Sequence, residues 1–136
     1  SRDHTFKPHG LWYAENHEWL RWCHSEMPHW IKPNLFELEI NPSKILVLST
    51  ERSVKMFNIA FGKTLGGIVQ MIDWADVKKQ YKGIEIHNYY DLKWKNDLLA
   101  FNTWFYGWDV PGGCIWDLSV VKRIKKYSTP KIFINN

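Results

Sequence analysis

The sequence predicts a single α+β domain over residues 1–136, with a small mixed or antiparallel split β-sheet core and about three helices. Short segments that alternate apolar and charged residues, or are continuously apolar, indicate strands. Between them lie segments with apolar residues at helical spacing and polar residues that can cap helices. The composition, 45% apolar and 24% charged, is typical of a globular domain.

The first elements predicted are a strand and a helix. Residues 11–14 are β-prone and follow Pro8 and Gly10. Asn16 is a residue type that caps helices, so we expect a helix from there through Cys23 to about residue 27, ended by Pro28.

Two strands and a helix are predicted next. LFELEI (35–40) alternates as a half-buried strand does, and KILVLST (44–50) has the apolar run of a buried strand. We expect the two strands to lie close together. Val54, Phe57 and Ala60 have helical spacing, so a helix over 51–60 is predicted, capped by Thr50 or Ser49.

The glycine-rich stretch 62–67 lacks the spacing of a phosphate-binding P-loop, so we interpret it as a mobile loop. Asp73 can cap a helix over 74–80. The segment GIEIHNY (83–89) predicts a strand with its isoleucines on one face and Glu85 and His87 on the other.

The last third predicts a helix and two strands. Residues 96–106 have helical spacing, and GWDVPGG (107–113) predicts a sharp turn. CIWDLSVV (114–121) and KIFINN (131–136) are β-prone. The cationic cluster at residues 122–126 is expected to be a solvated face, with nucleic-acid contact as the alternative.

Charge and hydropathy limit the class of protein. A net charge of +4 mildly favours a phosphate-bearing partner. Because apolar stretches are far shorter than the roughly 18 residues that span a bilayer, we expect a cytoplasmic protein without a membrane partner. Cys23 and Cys114 lie among apolar residues, which favours reduced, packed thiols over nucleophiles. The histidine and cysteine spacing does not match a zinc site, so we expect no metal.

Aromatic residues are concentrated in GLWYAENHEWLRWC (10–23), which holds four large rings, and the whole chain has nine tryptophans. Such rings either build a core that locks a strand to a helix or line a slot for a flat ligand. Trp12, Trp19 and Trp22 could serve either purpose.

GLWYA followed by a helix ending in WC resembles the strand and helix of poly-ADP-ribose polymerases and related ADP-ribosyltransferases, which flank the nicotinamide end of NAD. Trp12 takes the tyrosine position of that family's histidine–tyrosine–glutamate set, and Trp22 precedes the position of the stacking tyrosine. His4 or Arg2 would grip the adenosine ribose. The resemblance implies NAD as substrate, held by the following residues: His4, Gly10, Leu11, Trp12, Tyr13, Trp19 and Trp22.

CIWDLSVV resembles the family's last core strand, which opens with the catalytic glutamate, but Gly112 and Gly113 stand at the matching positions. Asp109 or Glu85 could replace that glutamate. Cleavage of the nicotinamide–ribose bond develops oxocarbenium character, which a fixed carboxylate stabilises. Each acid has a structural alternative: Glu85 as a solvent-facing strand residue, and Asp109 as an anchor of the turn.

The leading hypothesis is therefore an NAD-dependent mono-ADP-ribosyltransferase that releases nicotinamide and modifies a macromolecular acceptor, either protein or nucleic acid. One alternative is a non-catalytic module whose tryptophan-lined groove binds single-stranded nucleic acid or a sugar. Another is a toxin-like or regulatory interaction protein whose site has decayed.

Overall fold

The protein has an α+β fold in a computed structural model that describes residues 4–5, 7–66, 68–95 and 103–134. The strands of this part of the chain are β1 (His4–Thr5), β2 (Leu11–Ala14), β3 (Asn34–Ile40), β4 (Ile45–Leu48), β5 (Gly62–Leu65), β6 (Ile68–Asp73), β7 (Gly83–Ile86), β8 (Gly112–Ile115) and β9 (Val121–Ser128). Its α-helices are α1 (Glu18–Glu26), α2 (Glu51–Phe61), α3 (Trp74–Gln80), α4 (Tyr89–Lys93) and α5 (Thr103–Tyr106).

The described strands form three sheets. The central one has the order β2-β8-β7-β4, with β4 parallel to β7 and the other neighbours antiparallel. A second sheet, β1-β6-β5, is antiparallel throughout, and β3 and β9 pair as an antiparallel two-stranded ribbon. The predicted α+β class with small mixed sheets is thus confirmed.

One face of the central sheet carries the main core. Leu48, Ile84 and Ile86 lie on this face, since alternate residues of a strand share a side. Helices α2, α3 and α5 supply many of the other buried side chains, which include Val54, Phe57, Phe61, Trp74, Val77, Trp104 and Phe105. The rest come from β6, α4 and the segment after α5: Ile72, Tyr89, Leu92 and Trp108. Trp74, Trp104 and Trp108 therefore build much of the core. The rings for which the sequence left a core role open are not part of it, since Trp12 and Trp19 keep 38% and 39% of their surface exposed.

Helix α2 begins and ends as the sequence predicts. The Thr50 side chain accepts a hydrogen bond from the Ser53 amide, and the Ser53 hydroxyl accepts one from the Thr50 amide. This reciprocal capping satisfies two amides that the first helical turn leaves without a partner. Asp73 caps α3 in the predicted way through the Asp76 amide.

Helix α1 begins later than predicted. Asn16 has a φ of 50°, in the left-handed region, so it forms the turn that leaves β2 and does not cap the helix. The residue before the helix is His17, whose side chain makes no capping hydrogen bond. Asparagine is a common helix cap, but it also tolerates the left-handed conformation better than most residues. This second property explains why Asn16 forms a turn here.

Four other element predictions were wrong in whole or in part. The segment 83–89, predicted as one strand, holds β7 only as far as Ile86, and α4 begins at Tyr89. The segment 114–121, also predicted as one strand, leaves β8 after Ile115 and forms a 3-10 helix over Leu118–Val120. The stretch 62–67, interpreted as a loop, holds β5, which pairs with β6. KIFINN was predicted as a strand, but Lys131–Phe133 form a 3-10 helix after Pro130. The segments LFELEI and KILVLST are both strands, as predicted; they belong to different sheets, and Ile40 of β3 packs against the cluster that contains Ile45 of β4. The predicted helix over 96–106 is described only in its last part, α5; residues 96–102 lie outside the described residues.

Both cysteines are buried free thiols. Burial raises the pKa of the Cys114 thiol to about 12, and the pKa of Cys23 is raised for the same reason. They therefore pack as small apolar groups and stay protonated at neutral pH. Within the described ranges, no helix has the length and apolarity needed to cross a bilayer.

A hydrogen bond between α2 and α5 offers a test of this core. The Trp104 indole N–H donates to the Asn58 side-chain oxygen at 2.8 Å, and Trp104 is fully buried. We expect Asn58→Ala to lower the free energy of unfolding by about 1–3 kcal/mol, because a buried donor loses its acceptor. The matched control is Ile59→Ala on the same helix, whose side chain is exposed and should change stability by less than ~0.5 kcal/mol. Urea unfolding measures both, and equal losses would contradict the assignment.

Candidate functional site

The polar residues of interest lie on the other face of the central sheet. In the strand register Tyr13 pairs with Gly113, and Gly113 pairs with Glu85, so the three form one row across β2, β8 and β7. Tyr13 and Glu85 project to the same side, opposite to the core face that carries Ile84 and Ile86. The predicted division of β7 into an apolar face and a polar face is confirmed.

A glycine in the middle strand, Gly113, allows the side chains of Tyr13 and Glu85 to meet across the sheet. The Tyr13 hydroxyl donates a 2.7 Å hydrogen bond to Glu85 Oε1 across Gly113. A Cβ added to Gly113 would lie 2.6 Å from that hydroxyl, 2.8 Å from Glu85 Cγ, and in contact with the Ile84 carbonyl oxygen. The missing side chain therefore provides the space in which the phenol and the carboxylate meet.

His87 completes a cluster with two carboxylates. Its Nε2 lies 2.7 Å from Glu85 Oε2 and 3.3 Å from Glu15 Oε1. Ionised carboxylates only accept hydrogen bonds, so these contacts require a proton on Nε2, in the neutral tautomer or the imidazolium. We call Tyr13, Glu15, Glu85 and His87 the carboxylate cluster. Glu85 is held by two donors and keeps 21% of its side-chain surface exposed.

The cluster lies near one end of the sheet, where the backbone is unusual. Asn16 follows β2, Asn88 follows β7 and Asp109 precedes β8, and all three have positive φ. Because the last residues of β2 and β7 both pair with Gly112, these turns leave the sheet at the same end. All three are asparagine or aspartate, which adopt the left-handed conformation more readily than other residues except glycine, so they form the turns at this end of the sheet.

Beside β2 lies a large cleft of about 1510 Å³. One wall is formed by β2 and α1, which contribute Leu11, Trp12, Tyr13 and Trp19. The other wall is the ribbon of β3 and β9, and the cleft also borders Lys7 and His17. The lining is rich in aromatic rings, as a site for a flat ligand requires.

Four of the seven residues predicted to hold NAD line this cleft: Leu11, Trp12, Tyr13 and Trp19. Trp22 and Gly10 do not occur among its described lining residues. Trp22 stacks on Trp19 with ring centroids 5.0 Å apart, and a Cβ at Gly10 would clash with the Ile115 carbonyl oxygen of β8. His4 lies in β1, which belongs to the second sheet and pairs with β6. Arg2 lies outside the described residues.

Of the two candidate acids, Glu85 belongs to the cluster and Asp109 lies in a different setting. The Asp109 carboxylate is 3.8 Å from Lys7 Nζ, and that ammonium also stands 5.3 Å from the ring centroid of Trp12. The ring of Trp12 in turn meets the buried Trp108 edge-on, with centroids 4.7 Å apart. Asp109 thus lies on the face of β2 that carries Trp12, whereas Glu85 lies on the face that carries Tyr13.

The sequence interpretation underestimated two members of the cluster. The sequence alone predicts His87 as an ordinary polar-face residue and does not point to Glu15. The alternation of β7 places Glu85 and His87 on one face, and that signal is readable in the sequence. The pairing of β7 and β2 through β8, which brings Glu15 to them, is a long-range contact that one sequence does not reveal.

Comparisons with known proteins add no family assignment. No protein-family model, no curated protein and no solved structure matches this chain. Among the described residues, no group of three or more His, Cys, Asp or Glu side chains could hold a metal ion.

Substitution of the central glycine tests whether the cluster depends on it. We expect Gly113→Ala to lower the midpoint of thermal unfolding by several degrees, because the added methyl meets backbone on one side and the Tyr13–Glu85 pair on the other. Gly107→Ala is the control, since a Cβ there has its nearest neighbours at 3.4 and 3.7 Å. If both variants melt like the original protein, the close approach across Gly113 is wrong.

Two buried phenols predict how stability depends on pH. Burial, reinforced by the hydrogen bond to Glu85, raises the pKa of Tyr13 well above its usual value, and burial raises that of Tyr89. An unfolded chain loses these protons from about pH 10, before the folded protein does. The contribution of these two phenols to the free energy of unfolding is therefore expected to be flat below about pH 10 and to fall above it. The buried thiols Cys23 and Cys114 add a fall that begins about one pH unit lower.

Above pH 10, the slope of the free energy of unfolding against pH identifies the contribution of each tyrosine. Tyr13→Phe or Tyr89→Phe should reduce it by at most ~1.4 kcal/mol per pH unit. Urea unfolding at pH 8, 10 and 11 measures the slope, and Tyr127→Phe, at an exposed tyrosine, is the control. A slope that is the same in all four proteins would refute the burial of these hydroxyls.

Proposed function

We propose that this chain is an NAD-dependent ADP-ribosyltransferase that transfers ADP-ribose to a macromolecular acceptor, protein or nucleic acid, and releases nicotinamide. The observation that carries the proposal is the fixed carboxylate of Glu85, held by a tyrosine that also lines an aromatic cleft. The strand and helix that resemble the nicotinamide-flanking elements of ADP-ribosyltransferases, β2 and α1, form one wall of that cleft.

The reaction needs a negative charge near the ribose. When the bond between ribose C1 and the nicotinamide nitrogen breaks, the bonding electrons leave with nicotinamide, and positive charge develops on the ribose. An ionised Glu85 would stabilise that charge. Because the hydrogen bonds from Tyr13 and His87 fix its carboxylate in advance, little reorganisation is needed during the reaction.

The second half of the reaction needs a base. The acceptor nucleophile forms a bond to C1 and gives up a proton, for which the carboxylates of Glu85 and Glu15 are the acceptors in the cluster. His87 bridges the two at 2.7 and 3.3 Å, so it can keep them close despite their like charge. This arrangement would let Glu15 take the proton while Glu85 faces the ribose.

The aromatic wall suits the leaving group. The side chains of Trp12 and Trp19 are 38% and 39% exposed, although tryptophan usually buries its ring. Exposed rings in a cleft offer stacking surfaces for a flat, partly cationic pyridine ring. Tyr13 connects the cleft to Glu85, because it is a lining residue and its hydroxyl donates to the carboxylate; Glu85 itself is not among the described lining residues of the cleft.

The two candidate acids can be separated by one assay. We expect Glu85→Gln to slow the release of nicotinamide from NAD by at least about 100-fold, since the amide keeps the shape but loses the charge. Asp109→Asn is the matched comparison, and its effect should stay within a few-fold because Asp109 pairs with Lys7. Release is measured with water, a protein mixture and single-stranded DNA as acceptors.

Thermal unfolding of each variant shows whether it has kept its fold. If the original protein releases no nicotinamide with any acceptor, the proposed activity is wrong. If Asp109→Asn abolishes release while Glu85→Gln does not, the catalytic carboxylate has been assigned to the wrong residue.

A further inference from the structure

The ribbon of β3 and β9 exposes apolar side chains together with cations. All side chains of residues 122–128 are exposed, and Phe36 and Ile124 keep 58% and 59% of their surface accessible. A two-stranded sheet has little stability of its own. Clustered apolar exposure on such an element indicates a binding surface.

The charges of the ribbon are not evenly matched. Glu39 pairs with Arg123 at 3.3 Å, and Glu37 stands opposite Lys125 in the register. Lys126 stands opposite Phe36 instead of an acid, and Lys122 lies at the bulge, outside the paired register. Two lysines of β9 are therefore not opposed by an acid of β3.

Alternation along the strands defines a surface that we call the ribbon face: Phe36, Leu38, Ile124 and Lys126. Glu37 and Glu39 alternate with these residues and project to the opposite side. The ribbon face thus combines an aromatic ring, two aliphatic side chains and a cation. It contains neither of the two β3 acids, Glu37 and Glu39.

The ribbon face is continuous with the aromatic cleft. Phe36, Leu38 and Ile124 line it together with Trp12 and Trp19, and Glu37 from the other side of the ribbon is a lining residue as well. The cleft volume of about 1510 Å³ exceeds the roughly 300–1,000 Å³ of a typical small-molecule site. The ribbon side of the cleft therefore has room for an extended ligand beyond the part beside β2.

We propose that the ribbon face binds single-stranded nucleic acid, with the phosphates near Lys122 and Lys126 and a base stacked on Phe36. Unstacked bases present flat faces to exposed aromatic rings, whereas a duplex hides them. A neutral polysaccharide would not need the lysines, and phosphatidylserine vesicles test an anionic lipid surface as the competing occupant. This binding is a function in addition to the proposed reaction and does not depend on it.

The experiment measures anisotropy of a fluorescent 12-nucleotide oligothymidine. Phe36→Ala should weaken binding at least fivefold through lost stacking. Ile59→Ala, an exposed apolar side chain of α2, is the control and should leave affinity unchanged. Circular dichroism checks that each variant is folded.

Salt dependence tests the lysines. Each phosphate contact adds about 0.7 to the slope of log affinity against log salt for a single strand. Raising the salt concentration from 50 to 200 mM should therefore lower the oligothymidine affinity of the original protein about sevenfold more than that of a Lys122→Gln, Lys126→Gln double variant. The control double variant, Lys63→Gln with Lys79→Gln, carries the same charge change outside the ribbon and should keep the original slope.

Three results would overturn the proposal: no oligothymidine binding at 50 mM salt, equal losses in the ribbon and control variants, or Phe36-dependent binding of a neutral oligosaccharide or phosphatidylserine vesicles in place of the oligonucleotide. Nicotinamide release without any oligonucleotide is scored separately, so failure of one proposal is distinguishable from failure of the other.

Discussion

The candidate site depends on the close approach of three strands at a position without a side chain. Gly113 lies between Tyr13 and Glu85 in the sheet, and its neighbour Gly112 packs as tightly, because a Cβ there would meet the backbone of Tyr13 and Ala14. Two consecutive glycines weaken a strand on conformational grounds. Here β8 is central and hydrogen-bonded on both sides, so the sheet supplies the order that the glycines lack.

The two faces of the central sheet have different roles: one packs into the core, and the other carries the carboxylate cluster. On the core face, Ile84 and Ile86 pack against rings from the helices, which fixes the position of β7. Glu85 lies between them in sequence and faces the other way, so the packing of its neighbours determines where its carboxylate points. Functional groups are positioned more precisely on such strands than on loops. This coupling explains why one strand can carry both the core and the candidate catalytic acid.

The sequence predicted elements where the signal is local and missed those that depend on distant partners. The cap at Thr50 and the alternation around Glu85 are local, and both predictions were confirmed. The strand β5 was missed because its glycine-rich sequence is stabilised by pairing with β6. For the site, the sequence nominated Glu85 and Tyr13, but their hydrogen bond depends on the register of three strands. Register between distant strands is not encoded in the periodicity of any one of them.

Asp109 shows why composition alone could not rank the two acids. It stands beside tryptophan and a Pro-Gly-Gly turn, a setting that suggested a ring-lined pocket, and its φ of 71° does mark an unusual backbone. Its carboxylate, however, lies near the Lys7 ammonium, which would offset the negative charge that an oxocarbenium-like ribose requires. Glu85 is oriented by a phenol and an imidazole instead, and a neutral donor such as the Tyr13 hydroxyl fixes a carboxylate without cancelling its charge. An acid held in this way is the better suited of the two to stabilise a developing cation.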